Sequence, residues 1–149
     1  MAEFINYFQN KTAKIFYSVN LDTLFLEYIN KVVSDADFIT INTEVINAFK
    51  KLNTQKFVAD IRKMGVISVS SQQWVVKTLV PGLLAHLKGK PLYHAQFLDP
   101  SEIFSKISAK NIKNKSSQEI QGFNLEQFSD RNELEVYLKT IVPLPLDPA

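Results

Sequence analysis

Four times in this chain a run of six or seven mostly apolar residues breaks off and gives way to a stretch whose apolar residues recur every third or fourth position. Leu24 to Ile29 (LFLEYI) leads to Phe38, Ile41, Val45, Phe49 and Leu52, and Lys56 to Ile61 (KFVADI) leads to Val76, Leu79, Val80, Leu83, Leu84 and Leu87. Leu92 to Leu98 (LYHAQFL) leads to Ile103, Phe104 and Ile107, and Phe123 to Phe128 (FNLEQF) leads to Leu134, Tyr137, Leu138 and Ile141. The short runs have the character of strands, and the longer spacing lines one face of a helix. Strands separated by helices are joined by right-handed crossovers and lie parallel, with the helices covering the sheet. One earlier run, Lys14 to Val19 (KIFYSV), meets Leu24 across the polar turn Asn20 to Thr23, which reads as an antiparallel hairpin. The expected fold is therefore α/β: a mixed, mostly parallel sheet of about five strands, with the N-terminal hairpin at one edge and helices on both faces. Phe4 to Phe8, where Phe4, Asn6 and Phe8 alternate with Ile5 and Tyr7, reads as a further edge strand.

Capping residues mark where the helices begin. Ser34 and Asp35 precede the first, and the β-branched Thr40, Ile41, Thr43, Val45 and Ile46 inside it weigh less than its apolar stripe. Pro81 interrupts the leucine-rich helix. It removes the bond to the Lys77 carbonyl, which predicts a kink or two abutting helices meeting near Pro81-Gly82. Asp99-Pro100-Ser101-Glu102 and Asp130-Arg131-Asn132-Glu133 both have the form of helix starts with a glutamate three residues after the cap. Pro143 closes the last helix, so the reading is one domain over residues 1–142 and an extended or disordered tail over 143–149.

At 149 residues the chain suits a single core that needs no staple, and it contains no cysteine, hence no disulfide framework, thiolate nucleophile or cysteine-bound metal. Seventeen Lys and Arg against 15 Asp and Glu leave a net charge of +2, too near neutral for a dedicated nucleic-acid binder. The opening MAEFINYFQNK lacks the basic-then-apolar order of a leader, and no apolar run approaches the roughly 20 residues a membrane span needs. A cytoplasmic protein without membrane insertion is the expectation. His86 and His94 lack convergent ligands at metal spacing, and the chain has neither a nucleophile elbow nor a glycine-rich phosphate loop. Neither a metal, a cofactor nor an enzymatic activity is expected. The lysines at 106, 110, 113 and 115 read as a solvated helix end.

In sheets of this kind partners and ligands meet the loops at the carboxyl ends of the strands. The loop after Lys56 to Ile61 carries Asp60, Arg62, Ser68, Ser71, Gln72 and Trp74, and these form the candidate partner- or ligand-binding set. Asp60 and Arg62, two apart on extended backbone, share a face and can pair, while Ser68, Ser70 or Ser71 can cap the following helix.

The run Asp60-Ile61-Arg62-Lys63-Met64-Gly65-Val66-Ile67-Ser68, followed by Gln72 and Trp74 and later Pro81, resembles the D-x-R-x-[ML]-G-V-I-S…Q-x-W pattern of bacterial STAS-like (SpoIIAA-like) proteins, a family of mostly unassigned function. The order of elements over about residues 12–141 resembles that family too. Val69 and Ser71 depart from its usual proline and acid, and Gly82 from the arginine usual after Pro81. The resemblance implies the fold and a homodimer. Two functions follow as expectations. The first is a non-enzymatic regulatory or protein-interaction module acting through the 62–74 loop and helix start. The second is a binding protein for a small amphipathic or anionic ligand held beside the kinked helix, with Trp74 and the leucines at 83, 84 and 87 as wall and Arg62 as anchor.

Overall fold

A computed structural model describes residues 3–99 and 123–141. Its sheet has six strands in chain order: β1 (Phe4–Gln9), β2 (Ala13–Ser18), β3 (Thr23–Tyr28), β4 (Lys56–Asp60), β5 (Leu92–Phe97) and β6 (Phe123–Phe128). β1, β2 and β3 pair antiparallel, whereas β3, β4, β5 and β6 run parallel. The α/β class, the antiparallel edge and the parallel remainder agree with the sequence expectation. The strand count is six rather than five, because Phe4–Gln9 adds to β2 with a bulge between Asn6 and Phe8. Phe4 packs edge-on against Phe16, which stacks on Phe25, so the aromatic side chains tie this outer strand to the sheet.

Helices cover both faces. On one, α1 (Asp35–Phe49) and a second helical stretch bury Ile15, Leu24, Leu26, Phe57 and Leu92 beneath Ile41, Val45, Phe49, Leu79 and Leu83. On the other, the C-terminal helix (Arg131–Thr140) packs Leu134 and Leu138 onto Phe25, Val58, Ala95 and Phe97. β4, central in the order, is buried at every residue, Lys56 included. The Lys56 ammonium donates to the Leu138 carbonyl at 2.7 Å, near the end of the C-terminal helix, where unpaired carbonyls and the helix dipole favour a cation.

The second helical stretch differs from the expected kink at Pro81-Gly82. It consists of α2 (Val69–Trp74), a π-helical turn (Val75–Leu79) and α3 (Val80–Leu87), so the irregularity falls one turn before the proline. The Val80 N–H bonds to the Val75 carbonyl, five residues back. Pro81 then occupies the first turn of α3, where a helix needs no donor. Gly82 lets α3 approach α1, since a Cβ there would stand 3.3 Å from Ile46 Cδ1. The C-terminal helix is α4. The expected helix beginning at Asp99-Pro100, the lysines at 106–115 and the 143–149 tail lie outside the described residues.

Candidate functional site

The parallel strands β3, β4 and β5 end at one rim, and the loops leaving Tyr28 and Asp60 run side by side there. The Val32 N–H donates to the Met64 carbonyl at 3.1 Å and joins the two loops. Gly65 sits at φ +78° in the crossing, with Lys31 alongside. A side chain there is strained by the backbone whatever space exists, so Gly65→Ala is expected to cost about 1–2 kcal/mol in urea unfolding.

Asp60 and Arg62 pair as their spacing allows. Asp60 is buried at the end of β4, and Arg62 grips it with a fork: Nε donates to Oδ1 at 2.9 Å and Nη2 to Oδ2 at 2.7 Å. The guanidinium lies 4.4 Å from the centre of the Phe97 ring, and its bond to Asp60 holds its pKa above the ordinary value. Beside the pair opens a cleft of about 450 Å³ that also receives Glu27, Lys31, Lys63 and Asp99.

The serines form a second cluster. Ser68 caps α2 by accepting the Ser71 N–H at 2.9 Å. Both hydroxyls then donate to one oxygen of Asp35, in the first turn of α1: Ser68 at 2.5 Å and Ser71 at 2.7 Å. These bonds hold the Asp35 carboxyl below its usual range. One acid thus serves two helix starts, and an anion seeking the start of α2 meets a carboxylate already there. Ser71 is buried and Ser68 exposed, so of these two Ser68 is the hydroxyl open to modification. Buried Gln72 donates to the Ile67 carbonyl at 3.2 Å and fixes the end of the loop. Trp74 is half-buried against the larger core cluster and lines neither the 450 Å³ cleft nor the smaller one beside Asp35.

The six candidate residues therefore divide into Asp60 and Arg62 at the cleft, Ser68, Ser71 and Gln72 at the helix start, and Trp74 on the core. Between the π-helical turn and the sheet the space is about 30 Å³, room for one water. Leu83 and Leu87 are buried in the core rather than lining an opening.

Several members of the site escaped the sequence reading. Asp35 was visible only as a cap, because its partners stand 33 and 36 residues away. Glu27 was the one charge in LFLEYI, but only the parallel register, which sets it opposite Asp60, assigns it to the cleft. Val33, Val66 and Val69 are exposed by 72%, 53% and 60%, although nothing in their local sequence distinguishes them from core valines.

Both histidines meet backbone carbonyls, His86 through Nε2 to Leu52 and His94 through Nδ1 to Phe57, each at 2.8 Å. Among the described residues no three His, Cys, Asp or Glu side chains converge to hold a metal, and no helix is long and apolar enough to cross a membrane. No protein-family model, curated protein or solved structure matches the chain.

Proposed function

We propose that this chain is a non-enzymatic interaction module that docks a protein partner on the surface formed by the 61–68 loop and the starts of α1 and α2. The observation that carries this reading is the distribution of exposed apolar side chains. Of the seven large ones among the described residues, Val33, Val66 and Val69 belong to these loops and this helix start, and Phe4, Ile5 and Val19 belong to the β1 edge and the turn beside it. Only Val136 stands apart, on α4.

Val33 and Val66 line one small cleft together with Asp35, Ser68 and Ser71. The loops beneath are cross-linked by Asp35 and by the Val32–Met64 bond, so little conformational freedom is lost when a partner covers them. The exposed Asp35 carboxylate suits a partner segment that brings a basic side chain beside an apolar one. Phosphorylation of Ser68 would remove its hydrogen bond to Asp35 and set a second negative charge against that carboxylate, pushing the two helix starts apart, a regulatory switch within the same reading. The STAS-like resemblance belongs to this proposal, as do a cytoplasmic location and a homodimer formed through the outer edge of β1.

Affinity purification from the native cell, with bound proteins identified by mass spectrometry, tests the docking surface. Val66→Glu is expected to lower recovery of a partner retained by the wild type about tenfold or more, while Val136→Glu, at a valine somewhat more exposed but on α4, retains it. Equal recovery by all three proteins, or no partner retained by the wild type, refutes the proposal.

A further inference from the structure

The 450 Å³ cleft beside Asp60 and Arg62 falls within the range of small-molecule sites and lies at the carboxyl end of parallel strands, where open α/β sheets bind ligands. Its charged lining is balanced: Glu27, Asp60 and Asp99 against Lys31, Arg62 and Lys63. A polyanion gains little from such a surface, and an apolar ligand would strip water from charges without replacing it.

The charges are also arranged rather than merely mixed. Asp60 fixes one edge of the Arg62 guanidinium, through Nε and Nη2, and Phe97 supports its face. A guanidinium has five N–H donors. Asp60 takes two of them, and those that remain lie on Nη1 and the second position of Nη2, an edge whose geometry matches a carboxylate bidentately. The side chain keeps 40% of its surface exposed. On the neighbouring strand Glu27 stands opposite Asp60, with Lys14 at 3.7 Å on one side. An acid on β3 and a preset arginine edge just past the end of β4 thus face one cleft.

We propose that this cleft binds a small zwitterion, from a free α-amino acid to a dipeptide, with its carboxylate on Arg62 and its ammonium on Glu27. The site adjoins the docking surface through Arg62 and Lys63 of the 61–68 loop but is lined by none of the exposed valines, and it does not depend on the docking proposal.

The full-length protein is screened by thermal shift against the protein amino acids and a set of dipeptides at millimolar concentration, and any zwitterion that raises the melting temperature is titrated by calorimetry. Each such compound is then compared with its N-acetyl and carboxamide forms. Removal of either ligand charge is expected to weaken binding about tenfold or more. Glu27→Gln is expected to weaken the zwitterion to the same degree and to leave the N-acetyl form unaffected. Arg62→Lys, which keeps the charge without the fork, is expected to weaken the carboxylate-bearing forms. Because Glu27 is partly exposed and its one ion pair among the described residues is the long one to Lys14, its variant remains informative even if the Arg62 variant fails to fold. The proposal is overturned if no panel member shifts the melting temperature, or if the acetylated or amidated form binds as well as the zwitterion.

Discussion

Lowering the pH from 6.5 through 4 is expected to remove about 3 kcal/mol of folding stability through a single residue, His94. Its ring is buried, stacked on Phe57 at 4.7 Å, and Nδ1–H donates to the Phe57 carbonyl. Burial lowers its pKa from 6.5 to about 4, and the carbonyl bond offsets only part of that. The small cavity beside it is lined by apolar side chains with Tyr28, Asn42 and Gln96, none of which carries a negative charge, and burial keeps the Tyr28 phenol neutral.

The unfolded chain takes up the His94 proton near pH 6.5 and the folded chain only near pH 4, so between those values acid favours unfolding. The stabilisation is complete above pH 6.5 and lost as the pH falls through 4. Asp35 acts lower: its depressed pKa stabilises the fold above the ordinary carboxylate range, and that contribution disappears only as the pH falls through the lowered value. Urea unfolding at pH 7, 5.5 and 4 reads the His94 effect directly. His94→Phe keeps a ring against Phe57 and is expected to flatten the pH dependence over this window. An equal slope in wild type and variant would remove His94 as its source.

His94 also marks the limit of what its sequence context tells. LYHAQFL announces a buried strand, and alternation places His94 with Leu92 and Gln96 on one face, but the carbonyl that accepts its Nδ1–H hydrogen bond lies 37 residues away. The same boundary runs through the rest of the molecule. Period and capping made β3 to β6, α1 and α4 legible because they depend on neighbours within a few residues. Pro81 signalled a disturbed helix but not its place, since whether the turn before a proline widens depends on packing against α1 and the sheet. The Asp60–Arg62 pair was readable from its two-residue spacing, and the Ser68 cap from its position. The acid that gathers Ser68 and Ser71, and the register that sets Glu27 opposite Asp60, arise from crossover connections and had no local signal.

Removing Arg62 is expected to destabilise the protein more than its partial exposure implies, because it strands a carboxylate that cannot return to water. Asp60 keeps 7% of its side-chain surface and Arg62 keeps 40%, so the pair falls between an exposed ion pair at about 0–1 kcal/mol and a buried one broken at about 3–5 kcal/mol. Arg62→Ala is expected to cost about 2 kcal/mol, and Asp60→Ala, which leaves a guanidinium with access to solvent, about 1 kcal/mol. The double variant should cost clearly less than the sum, by about 1 kcal/mol or more, because the stranded charge is gone as well. The stacking of Arg62 on Phe97 is lost whenever Arg62 is removed, with or without Asp60, so it cancels from the coupling and leaves the ion pair alone. Arg62→Lys should recover part of the loss, since an ammonium restores the charge but not the two-pronged grip on Oδ1 and Oδ2. Chemical denaturation of the four proteins of the cycle measures the coupling. Additivity within about 0.5 kcal/mol would mean that the fork contributes nothing to stability, and the arginine would then be held in place by Phe97 and the loop rather than by the acid beneath it.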